Sequence, residues 1–163
     1  MHHSESLFAF AQVAVAFAGF ASLIAFLGKR TTGPYRQLER NRLIGMVRVA
    51  LVAIAFALLP VVVGAQGLSE ESAWRVSAFL FAAAHSAITI IAWRRTLWML
   101  REKIRDGMPF IPPMSTLALI ALIFAVGLPA QAAGLYLAAL FLVVGISGAL
   151  FFGLVRDFLS DDE

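Results

Sequence analysis

The chain has 163 residues, of which 61% are hydrophobic and only 14% are charged. Soluble domains have about a quarter of their residues charged, so this composition excludes a soluble globular domain. The net charge is +3, from 13 basic and 10 acidic residues, and there is no cysteine. Disulfides, thiolate catalysis and cysteine-ligated metals are therefore excluded.

The apolar residues form blocks of about twenty, the length that an α-helix needs to cross about 30 Å of hydrocarbon. No segment has the alternating polarity of a membrane β-strand. Because a backbone in lipid must satisfy its own hydrogen bonds, the sequence predicts an all-α integral membrane protein. We expect a bundle of about five transmembrane helices in one domain, 1–163. The predicted spans are about 6–28, 43–64, 74–93, 114–132 and 135–155.

The first span is predicted to be a permanent helix. A cleavable signal peptide would have a basic start and a shorter apolar core, whereas residues 1–5 include no Lys or Arg. The second helix is predicted to begin at Pro34, directly after a Thr-Gly turn, and to bend near Pro60.

Ser69 is a candidate N-cap of the third helix, and the two glutamates that follow it favour the helix dipole. Residues 94–105 mix basic and apolar side chains around Trp98, which predicts a helical extension lying at the membrane surface. The connection 128–134 is so short that the last two spans must form an antiparallel hairpin.

The orientation in the membrane follows from the basic residues. Ten of them lie in the first and third connections, which are on the same side of a five-span chain. The opposite side has only Arg75. The positive-inside rule then predicts an external N-terminus and a cytoplasmic C-terminus in the bacterial inner membrane, with the basic connections attracting anionic lipids. The ten residues are Lys29, Arg30, Arg36, Arg40, Arg42, Arg94, Arg95, Arg101, Lys103 and Arg105.

Small residues recur at steps of three and four along the first helix and at steps of four along the fifth. In lipid, such residues mark surfaces where helix backbones approach closely. The stripes serve packing within the chain or an interface with another subunit, although alanine is abundant enough for one to arise by chance. The seam residues are Ala11, Ala14, Ala18, Ala21, Ala25 and Gly28 on the first helix, and Gly145, Ala149 and Gly153 on the fifth.

Two ionisable side chains lie inside apolar spans, where charge suggests function. Arg48 lies roughly 9 Å from the cytoplasmic side and His85 roughly 12 Å. The simpler interpretations are that Arg48 extends back to the headgroups and that neutral His85 donates to a neighbouring helix. Thr89 shares the face of His85, and Ser22 and Ser147 lie at similar depths. The alternative hypothesis is a shared hydrated cavity in which Arg48 binds an anion or a lipid phosphate.

No Asp or Glu lies inside any predicted span, which argues against a carboxylate-driven transporter. No phosphate loop, catalytic triad or zinc motif is present. We therefore predict no catalytic residue, no cofactor, no metal and no nucleic-acid partner.

These patterns favour a membrane protein that self-associates to form or line a channel or transport path, with anions as the candidate solute. A second hypothesis is a non-catalytic accessory or scaffold subunit of a larger membrane complex. A third is lipid binding through the basic connections.

Overall fold

The computed structural model describes the backbone of residues 3–27, 35–101 and 111–160. Side chains are described for the same residues except 25–27, 35–42, 92–101, 129 and 156–160. Within these ranges the secondary structure is helical throughout, with no strand, which confirms the predicted all-α bundle. The elements are α1 (Ser4–Leu27), α2 (Tyr35–Gly64), α3 (Glu70–Arg101), α4 (Ile111–Gly127), a 3₁₀ turn (Pro129–Gln131) and α5 (Ala132–Ser160).

Four of the helices contain apolar segments long enough to cross a membrane: Ser4–Ile24, Leu43–Gly64, Glu70–Ile91 and Ala132–Val155. The fifth, α4, is a largely apolar helix of 17 residues, about 26 Å long. The chain is therefore a small multi-pass membrane protein.

Local sequence signals set the turn between α2 and α3. Gly67 has a φ of 83°, a left-handed conformation that favours glycine. The amide of Ser72 donates to the hydroxyl of Ser69 at 3.3 Å, so Ser69 is the N-cap predicted for α3.

The helix boundaries differ in part from the predicted spans. Helix α3 is continuous for 32 residues, about 48 Å, so residues 94–101 are a helical extension of the third span, as predicted. The position of this extension at the membrane surface stays a prediction. Residues 102–105 of the predicted surface helix lie outside the described residues. Helix α4 ends at Gly127 because Pro129 disfavours helical backbone at Leu128, and α5 begins as early as Ala132.

Helix α5 is the centre of the bundle, since it packs against each of the other four helices. The others surround it in chain order, α1 beside α2, α2 beside α3 and α3 beside α4. Half of the apolar segment of α5 is buried, against 22–28% for α1, α2 and α3.

Side-chain contacts fix the helix directions. Arg75 and Val126 meet at one end of the α3–α4 pair, and His85 and Ser115 meet farther along, so these helices are antiparallel.

Trp74, near the start of α3, contacts His3 directly before α1 and Tyr136 near the start of α5. Helices α1, α3 and α5 therefore begin at the same end of the bundle, where Glu70 and Glu71 lie, which we call the acidic end. We call the opposite end the basic end. The assignment of the basic end to the cytoplasm stays a prediction.

Candidate functional site

A buried polar cluster joins α3 to α4. The Nε2 atom of His85 lies 2.9 Å from the hydroxyl of Ser115 and 3.2 Å from its carbonyl oxygen. The hydroxyl of Thr89, one turn along α3, lies 3.0 Å from the same Ser115 hydroxyl. His85 is only 6% exposed and Ser115 only 8%. We call His85, Thr89 and Ser115 the His85 cluster.

The hydrogen bonds of the His85 cluster satisfy polar groups that would otherwise be unpaired in an apolar interior. A proton on Nε2 of His85 points to Ser115, and either hydroxyl can donate in the Ser115–Thr89 contact. This is the arrangement expected when His85 bonds to a neighbouring helix. It links two helices whose connection lies at the basic end.

Four aromatic side chains fill the interior between the His85 cluster and the acidic end. Phe56 and Phe81 are stacked with ring centroids 4.2 Å apart. Tyr136 makes edge contacts with Phe81 at 5.6 Å and with Trp74 at 5.5 Å, and its hydroxyl donates to the carbonyl oxygen of Phe56. Phe81 also contacts the ring of His85 at 6.1 Å. We call Phe56, Trp74, Phe81 and Tyr136 the aromatic cluster. Its rings occupy this part of the bundle.

The other polar residues predicted for the site lie in different environments. Arg48 is exposed on α2. Ser22 is exposed on α1, and its hydroxyl donates to the carbonyl oxygen of Ala18 in the same helix, at 3.0 Å. Ser147 is fully buried in α5. The structure thus brings together His85 and Thr89, whereas Arg48 and Ser22 lie on exposed surface.

The small-residue seam of α1 faces the interior of the chain. Ala14 and Ala21 are buried, and Ala11 and Ala18 are partly buried against the core. The side chain of Ala25 and the whole of Gly28 lie outside the described residues.

On α5, Gly153 is buried, and Gly145 and Ala149 are partly buried. A Cβ added at Gly145 would lie 2.6 Å from the Cε of Met114, so this glycine leaves room for the end of the Met114 side chain of α4. The described residues of both seams are therefore buried or partly buried within one chain.

Sequence reasoning missed three residues. Ser115 follows two prolines at the start of α4, and only the antiparallel pairing of α3 with α4 places it beside His85. Ser77 is fully buried and, among the described residues, its hydroxyl has no hydrogen-bond partner. Gln12 lies exposed in the middle of α1, and the presence of an amide inside an apolar span is the signal that could have identified it.

Comparison with known proteins found no match to a family model, to a curated sequence or to a solved structure. Within the ranges that the structure describes, no three His, Cys, Asp or Glu residues lie close enough together to hold a metal ion. The placement of polar groups in this chain is therefore the observation that indicates its function.

Proposed function

We propose that the protein self-associates in the membrane and that its subunits together line a path for anions, with no catalytic step. The path runs between subunits, because the aromatic cluster fills much of the interior of a single bundle. The observation that supports this proposal most directly is the exposure of Arg48 within the apolar segment Leu43–Gly64.

A guanidinium group is costly in hydrocarbon, by about 2.5–3.5 kcal/mol at the centre of a membrane helix, and less where the side chain reaches towards the headgroups. A polar surface between subunits removes this cost. It also presents to an anion a permanent positive charge with five N–H donors. Ser22 adds less, because the helix carbonyl of Ala18 already takes its hydroxyl proton.

The exposed face of α2 is apolar beyond Arg48. Leu51, Leu58 and Val62 follow it towards the acidic end and are 56%, 36% and 56% exposed. In the proposed assembly Arg48 is therefore a selectivity site near the basic end, and the apolar remainder of this face packs against lipid or another subunit.

The test is anion flux into proteoliposomes, with Arg48→Gln compared with the wild type. We expect the variant to lose the flux while inserting normally, because the amide remains polar but has no charge. Arg75→Gln is the matched control. Arg75 is also exposed, but it lies towards the acidic end and donates to the carbonyl oxygen of Val126 at 3.2 Å.

A comparison of vesicles of zwitterionic lipid with vesicles of anionic lipid shows whether Arg48 acts on a free anion or on a lipid headgroup. Flux that depends on Arg48 in both compositions supports the path. An absence of flux together with Arg48-dependent binding to anionic vesicles contradicts the path and favours lipid binding. A monomer that co-purifies with another membrane protein contradicts self-association and favours the accessory-subunit hypothesis.

A further inference from the structure

The outward surface of α1 contains an unpaired amide. Among the described residues α1 packs only against α2 and α5, so much of its circumference is exposed. Four residues at steps of three, four and three form one exposed stripe on this surface. They are Ala9, Gln12, Ala16 and Gly19, which we call the Gln12 face.

Gln12 lies deep in the apolar segment. It is eight residues from Ser4 and twelve from Ile24, which corresponds to about 12 Å and 18 Å along the helix. In the part of the chain that the structure describes, its amide makes no hydrogen bond to any other group. The side chain has two N–H donors and a carbonyl acceptor. Leaving such groups unpaired in hydrocarbon costs several kcal/mol, so the amide favours a partner that presents both a donor and an acceptor.

We infer that the Gln12 face binds the same face of a second copy, with the two Gln12 amides hydrogen-bonded to each other. A carboxamide is self-complementary, because its N–H can donate to the carbonyl of an identical group while its own carbonyl accepts in return. A two-fold axis that runs along the membrane normal beside the Gln12 face places each residue of this face near its equivalent in the second copy. Two α1 helices related in this way run parallel, with both Gln12 side chains at the same depth.

The neighbours of Gln12 permit the close approach that such a bond needs. Ala9, Ala16 and Gly19 are all small, and a Cβ added at Gly19 would have no atom within 4 Å. A second helix can therefore come near the backbone of α1 here. The opposite side of α1, where Ala14 and Ala21 are buried, is already occupied by the chain's own core.

This inference rests on the self-association step of the proposed function and names its interface, but it does not depend on an anion path. It assigns the contact to α1 and leaves Arg48, on α2, outside the central contact.

The test is the monomer–dimer equilibrium of labelled full-length protein in liposomes, measured by energy transfer as the protein is diluted in lipid. We expect Gln12→Leu to raise the dissociation constant about three- to tenfold, the usual range for hydrogen bonds between membrane helices. Gln12→Asn keeps the amide and should retain most of the affinity. Gly19→Leu should weaken the dimer at least about tenfold, because the added side chain separates the backbones while meeting nothing within its own bundle.

Two controls match these variants. Ser22→Ala removes an exposed polar group of α1 whose hydroxyl already bonds to Ala18. Gly134→Leu adds the same side chain to α5, where a Cβ also meets nothing within 4 Å. Both should leave the dissociation constant unchanged. Because the chain has no cysteine, Ala16→Cys and Leu51→Cys also allow disulfide crosslinking without background, and only Ala16→Cys should give dimers.

A wild-type protein that stays monomeric overturns the inference, as does a dimer that neither Gln12→Leu nor Gly19→Leu weakens. Equal crosslinking at Ala16→Cys and Leu51→Cys overturns it as well. Failure of the two proposals can be distinguished. A dimer that depends on Gln12 without any anion flux supports the inference and contradicts the path. Flux that depends on Arg48, in a protein whose dimer dissociation constant is unaffected by Gln12→Leu, contradicts the inference but not the path.

Discussion

The α3–α4 interface and the outward surfaces of α1 and α2 differ in how their polar side chains are paired. Inside, His85, Thr89 and Ser115 bond to one another across two helices. Outside, Arg48 and Gln12 are exposed at depths where lipid surrounds a single chain. The buried polar groups therefore contribute to the fold of one chain, whereas the exposed ones are the groups for which we propose partners in a second subunit. The interior has two exceptions, the buried hydroxyls of Ser77 and Ser147, which make no hydrogen bond among the described residues.

The largest effect on stability is expected from Phe81→Ala, which removes the ring that contacts Phe56, Tyr136 and His85. Phe81 is fully buried, so its loss should lower the free energy of unfolding by about 3–5 kcal/mol. Unfolding in mixed micelles measures this change. Phe79→Ala is the control, because Phe79 lies on the same helix but is 61% exposed. Equal losses in the two variants would contradict the assignment of the aromatic cluster to the core.

A smaller effect is expected from Ser115→Ala, which removes the hydroxyl that contacts both His85 and Thr89 but keeps the Ser115 carbonyl oxygen near His85. Hydrogen bonds between membrane helices are worth about 0.6 kcal/mol on average and at most about 1.7, so we expect a loss of about 1 kcal/mol. In a double-mutant cycle with Thr89→Ala the two losses should not add, because both variants break the same contact. Thr116→Ala is the neighbouring control, since the hydroxyl of Thr116 donates within its own helix, to Pro112. Strictly additive losses would mean that Ser115 and Thr89 are not coupled.

The architecture was predictable because composition and block length depend only on the solvent that surrounds the chain. Apolar blocks of about twenty residues have one stable backbone conformation in lipid, so the all-α bundle followed directly. The N-cap Ser69 was also predictable, because its hydrogen bond joins residues only three positions apart in the sequence.

The site was less predictable because it depends on which helix faces are neighbours. Depth along each helix suggested that Arg48, His85, Ser22 and Ser147 belong together, but depth does not determine direction around the helix. The direction in which each helix faces leaves Arg48 on the exposed surface of the bundle and His85 in its interior. Ser115 lies 30 residues from His85 along the chain, and no local pattern connects the two. Gln12 was detectable from sequence as an amide within an apolar span.

The smallest effect, and one of opposite sign, is expected from Ser147→Ala. The hydroxyl of Ser147 is fully buried and has no hydrogen-bond partner within the described residues. Burying an unpaired hydroxyl costs free energy, and alanine has nearly the same shape, so the substitution should be neutral or should stabilise the protein by up to about 1 kcal/mol. The same unfolding measurement used for Ser115→Ala tests this. A loss as large as that of Ser115→Ala would mean that the hydroxyl of Ser147 bonds to an internal water, whose hydrogen bond offsets the cost of burying it.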